Sequence, residues 1–156
     1  MFKEAIVFNA AIKQVMEFSN AFLTPKGFTA SEIIEPQEDS GDLVSSESLT
    51  LTYINHSLNL ELRFFLCCGK GHHADAITLR GRSLTHPDRF VDFSRLSELS
   101  GFGLHQLDFN VGRKPVIGFF EDYLQELRIT FDILLEQAQR DLADSVPTEP
   151  AVFRIF

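Results

Sequence analysis

Between Leu49 and Cys68 the chain alternates apolar and polar residues with a period of two. Leu49, Leu51 and Tyr53 alternate with Thr50 and Thr52; Leu58, Leu60, Leu62, Phe64 and Leu66 alternate with Asn59, Glu61, Arg63, Phe65 and Cys67. Successive side chains of a strand point to opposite faces, so this pattern predicts two strands with one buried and one wetter face. The polar break Asn55-His56-Ser57 predicts that they form an antiparallel hairpin.

On either side the period changes to that of a helix. Ala5, Phe8, Ile12, Val15, Ser19 and Phe22 recur at three and four, until Thr24-Pro25-Lys26-Gly27 stops them. Phe120, Leu124, Leu127, Phe131, Leu134, Ala138 and Leu142 mark a second, longer helix, with Pro115 near its start and Pro147 and Pro150 beyond its end. Between them, Ala76 to Thr85 predicts a third strand, in which Gly81 marks a bulge or the strand end. His86-Pro87-Asp88 then breaks the pattern. Phe93, Leu96 and Leu99 suit a short helix closed by Gly101 or Gly103, and Leu107, Phe109 and Val111 suit a fourth strand. Residues 28 to 48, rich in Glu, Asp and Ser, predict a solvated loop with at most a short strand near Phe28 or Ile33.

Strands clustered between terminal helices define an α+β class: a curved antiparallel sheet of about four or five strands, with the N-terminal and long C-terminal helices on one face. The length of 156 residues fits one domain, taken as residues 1–146. The remainder, 147–156, is an apolar tail ending Val152, Phe153, Arg154, Ile155, Phe156, expected to dock on its own core or to form an oligomer contact.

Charge sharpens this picture. The net charge is −8, which disfavours nucleic acid as a general partner. No Lys or Arg occurs between Lys26 and Arg63, whereas Arg63 to Lys114 holds eight basic and five acidic residues, so the two signs are segregated along the chain. No apolar run is long enough to span a bilayer, and the N-terminal stretch is a poor signal peptide. Two adjacent cysteines cannot bridge readily and give no disulfide framework. These features lead us to expect a cytoplasmic protein of bacterial type.

Specific chemistry is harder to find. Cys67, His72 and His73 are weak metal candidates, because zinc sites commonly place two or more residues between cysteines and Cys67 and Cys68 are adjacent. Gly69-Lys70-Gly71 lacks the spacing of a phosphate loop, and Gly101-Phe102-Gly103 lacks the third glycine of a dinucleotide site. No G-x-S-x-G occurs, and no cofactor is implied. Two groups stand out instead: an acidic set, Glu35, Glu38, Asp39 and Asp42, and a mixed set on the wetter strand faces, Arg63, Phe65, Arg80 and Arg82. Aromatic residues with arginine are enriched in interface cores.

The expectation is therefore a non-catalytic, acidic protein-binding module with a protein partner and no membrane or nucleic-acid role. Its size and charge are those of small inhibitor or immunity-type proteins that cover a basic active site, an analogy resting on size and charge alone. The alternative is a small-ligand-binding protein or enzyme with a pocket between sheet and helices. A homodimer made through the apolar tail is a third arrangement.

Overall fold

The computed structural model describes residues 2–38, 46–69, 75–112, 114–143 and 153–154. In chain order the elements are α1 (Phe2–Phe22), β1 (Thr29–Glu38), β2 (Ser46–Asn55), β3 (Leu60–Gly69), β4 (Asp75–Ser83), β5 (Arg89–Asp92), α2 (Phe93–Leu99), β6 (Phe109–Asn110), α3 (Val116–Ala143) and β7 (Phe153–Arg154). The sheet is antiparallel and open, in the order β1-β2-β3-β4-β5-β7, with β6 pairing the far end of β4. This is the α+β architecture that the sequence predicts.

The hairpin is where the leucines place it. Leu49 pairs with Leu66, Leu51 with Phe64 and Tyr53 with Leu62, so their side chains share one face. Leu60, Leu62, Phe64 and Leu66 are all buried there. Leu58, expected at the strand start, instead lies half in solvent in the turn. That turn needs a left-handed residue, and Asn59 supplies it at φ 55°. Its amide nitrogen then donates to Ser83 Oγ at 3.2 Å and Thr85 Oγ1 at 2.9 Å, tying the β2–β3 turn to the end of β4.

α1 contributes Ala11, Val15 and Phe18 to the core, and α3 contributes Phe120, Tyr123, Leu127, Phe131 and Leu134. Phenylalanine dominates where they meet. The Phe18 ring lies 5.3 Å from Phe131 and 5.9 Å from Phe64, both edge to face, and Phe93 stacks on Phe131 at 6.2 Å. One aromatic cluster thus joins both long helices, the sheet and α2.

Four expectations need correcting. The acidic stretch holds a ten-residue edge strand, β1, whose alternation is hidden by register shifts between Ala30 and Glu32 and between Ile34 and Gln37. Gly81 is neither a bulge nor an end: it pairs regularly with Leu62 and Val91. A Cβ there would lie 3.2 Å from Leu62 Cδ2 and 3.4 Å from Phe93 Cε1, so close packing accounts for the glycine. β5 (Arg-Phe-Val-Asp) lies where the sequence suggested a break alone. Finally, the expected fourth strand shrinks to the two residues of β6, with Leu107 in a 3-10 turn and Phe109 and Val111 exposed. Of the tail, Phe153 and Arg154 pair with Phe90 and Arg89 at the sheet edge; its other residues lie outside the described residues.

Candidate functional site

The helices cover the face of the sheet that carries the leucines. On the opposite face, strand register brings together residues far apart in sequence. Arg63 of β3 sits opposite Arg80 of β4, Glu61 opposite Arg82, and Phe65 opposite Thr78. On β5, Asp92 sits opposite Arg80 and Phe90 opposite Arg82. Phe109, opposite Ala76, belongs to the same face and is 67% exposed.

Glu61 organises this surface. Its side chain is 5% exposed, and it accepts from two guanidinium groups. Arg82 Nε lies 2.7 Å from Oε2 and Arg82 Nη2 3.2 Å from Oε1; Arg63 Nε and Nη2 lie 3.2 and 3.4 Å from the same two oxygens. A buried carboxylate is costly unless its lone pairs are filled, and here two forked donors fill them. With two arginines and one glutamate, the triad keeps a net charge of +1.

Arg80 is held differently. Its guanidinium carbon lies 5.2 Å from the centroid of Phe65 and 5.4 Å from that of Phe90, a double cation–π contact. Its ion pair with Asp92 is long, Nε to Oδ2 3.9 Å, because the other Asp92 oxygen caps α2 by accepting from the Ser94 N–H at 2.9 Å. The Arg80 side chain is 47% exposed. Between Glu61, Arg63, Phe65, Arg80, Arg82 and Phe90 lies a cleft of about 60 Å³.

The four residues of the expected mixed set are therefore brought together. Of the acidic set, strand register places Glu38 away from these four. Glu38 is in register with Glu47, which pairs with Cys68, five residues along β3 from Arg63. At about 3.4 Å per residue that is roughly 17 Å. Glu35 falls within a register shift of β1, while Asp39 and Asp42 lie outside the described residues. Cys68 is buried on the helix side and Cys67 half-buried on the open side, as neighbours on a strand must be. His72 and His73 lie outside the described residues, and among the described residues no group of three or more His, Cys, Asp or Glu could hold a metal ion.

Sequence reasoning missed Glu61, Phe90 and Asp92. Glu61 could have been found, since it stands two residues before Arg63 with the same parity. Phe90 and Asp92 required β5.

Two other regions carry polar chemistry. Beneath α2, the Ser94 hydroxyl donates to the Asp108 carboxylate, and burial holds that carboxyl above its usual range. Nearby, Tyr123 is fully buried with its hydroxyl pKa pushed up by desolvation. The second region is a groove of about 280 Å³ between the end of α1 and β1–β2, lined by Met16, Ser19, Phe28, Leu51 and Tyr53 among others. The Tyr53 hydroxyl pKa is raised there by burial, against a hydrogen bond with Ser19 that lowers it.

The fold and this surface define an α+β protein with an open antiparallel sheet, helices on one side and an arginine–phenylalanine face on the other. Comparison with protein-family models, with curated proteins and with solved structures finds no match for this chain. No helix among the described residues is long and apolar enough to cross a membrane.

Proposed function

We propose that this protein is a non-catalytic protein-binding module that engages its partner through the open face of the sheet. The observation that carries this reading is the convergence of Arg63, Arg80, Arg82, Phe65, Phe90 and Phe109 on that one face. Aromatic rings supply apolar contact area at low entropic cost, and arginine adds directional hydrogen bonds, the pairing that dominates interface energetics. The face also carries positive charge on a chain of net charge −8, which orients an approaching partner. Charge-reversal variants of Glu35, Glu38, Asp39 and Asp42 test whether the acidic set takes part in the same docking.

A photo-crosslinking residue at Thr78, central on the open face, tests the reading against one at Gln125 on the exposed side of α3. The module reading expects a discrete crosslinked adduct from Thr78 in the source cell and none from Gln125. Adducts confined to Gln125 would place the partner elsewhere.

The 280 Å³ groove favours a second reading, binding of a small apolar ligand bearing one hydroxyl-bonding group, although its size sits just below that of usual ligand sites, roughly 300–1,000 Å³. Mass spectrometry of the protein released from native purification distinguishes the two: a stoichiometric small molecule supports the groove.

A further inference from the structure

We infer that the cleft beside Arg80 is a carboxylate-binding subsite, the point at which a protein partner inserts an Asp or Glu side chain. This rests on the docking reading above and names the chemistry of its anchor. Three arginines, Arg63, Arg80 and Arg82, stand on adjacent positions of two neighbouring strands, with Arg63 and Arg80 directly opposite each other. Like charges in that relationship are destabilising, so the arrangement calls for anions between them. Glu61 supplies one, and its hydrogen bonds go to Arg63 and Arg82. Among the described residues Arg80 obtains nothing comparable: the nearest carboxylate oxygen, on Asp92, stays at 3.9 Å, outside hydrogen-bond range. A guanidinium carries five N–H donors in a planar fork matched to a carboxylate. Phe65 and Phe90 both hold the Arg80 guanidinium in cation–π contact, which limits its freedom before a partner arrives.

The size of the cleft selects the occupant. About 60 Å³ admits a carboxylate group and falls well short of the ~150 Å³ that accommodates a benzene ring. The rings of Phe65 and Phe90 offer an apolar wall to the methylene carbons that carry the carboxylate. An acidic side chain of a protein supplies both parts; inorganic phosphate supplies the charge without the apolar stem.

The test uses the full-length ¹⁵N-labelled protein, with the Arg80 Nε–H resonance assigned by its loss in Arg80→Lys. N-acetyl-glutamate methylamide, the corresponding glutamine compound and inorganic phosphate are titrated at constant ionic strength. We expect a saturable shift of the Arg80 resonance with the glutamate compound, a small linear one with glutamine, and weaker saturation with phosphate. Phe65→Leu should reduce the glutamate response without unfolding the protein. Equal responses to glutamate and glutamine would overturn the subsite, and tighter saturation by phosphate would overturn the choice of a side-chain carboxylate. Failure here with a surviving Thr78 adduct would remove the anchor and leave the docking face; a saturable glutamate shift without that adduct would do the reverse.

Discussion

The Tyr123 hydroxyl accepts a hydrogen bond from the backbone N–H of Leu79 at 3.1 Å, and this contact fills a gap in the sheet. β5 pairs with β4 from Arg80 onward and β6 pairs with it up to Ala76, which leaves the intervening edge of β4 without a strand among the described residues. The Ile77 N–H donates instead to the Asp108 carbonyl at 3.1 Å, and the Leu79 N–H donates to Tyr123. The long helix therefore substitutes for a missing strand at one position, as buried backbone donors require.

Tyr123→Phe keeps the ring and removes the acceptor. A buried N–H left unsatisfied costs about 1–3 kcal/mol, so the variant should lose that much stability in chemical denaturation. Exchange of the Leu79 amide with deuterium should accelerate selectively. An unchanged midpoint would mean that the edge is satisfied in another way.

Asp108 gives a pH dependence whose sign follows from its burial. Its carboxyl is raised above the usual value of 3.8, first by desolvation, with the Ser94 hydrogen bond opposing the rise. The folded state therefore holds this proton more tightly than the unfolded chain does. Its stabilising contribution is complete below 3.8 and declines as pH rises through the elevated folded value. Asp108→Asn keeps an oxygen for Ser94 and cannot ionise. Relative to wild type it should gain stability as pH increases from 4 to 7, followed by thermal melts; a relative loss over that range would contradict the burial argument.

Gly81→Ala tests the close approach of β4 to the core. The added Cβ meets Leu62 and Phe93 at 3.2 and 3.4 Å, tighter than ordinary contact. Overpacking of this kind costs typically about 1–3 kcal/mol. The melting temperature should fall while the fold, judged by circular dichroism, is retained.

These positions also show what the sequence could and could not disclose. The hairpin, α1 and α3 were legible because each has a long uninterrupted period. β1 was not, because its two register shifts place Ile33 and Ile34 out of step with a simple alternation. β5 is four residues long, too short for periodicity to register, and it is held by pairing with β4. Phe109 and Val111 alternate correctly but point outward, since alternation reveals two faces and does not say which is buried. On the open face, Arg63, Phe65, Arg80 and Arg82 could be grouped by parity alone. The double cation–π contact of Arg80 could not, because it depends on β5 and on strand register.

Glu61→Gln tests the triad. Glutamine retains the shape and one acceptor oxygen, and leaves Arg63 and Arg82 around it without the negative charge they share. Because both arginines are about a third exposed, solvent offsets part of the loss. We expect a destabilisation of about 1–2 kcal/mol in denaturant titration. A neutral result would mean that the two arginines are stabilised chiefly by water.

The docking face itself is tested most directly by isothermal titration of the crosslinked partner, once identified, against wild type, Arg80→Glu and the helix-face control Glu136→Lys. Binding through the open face predicts that Arg80→Glu weakens affinity by roughly tenfold or more, as loss of an interface anchor worth about 1.4 kcal/mol requires, with Glu136→Lys indistinguishable from wild type. Undiminished affinity of a folded Arg80→Glu protein would contradict it.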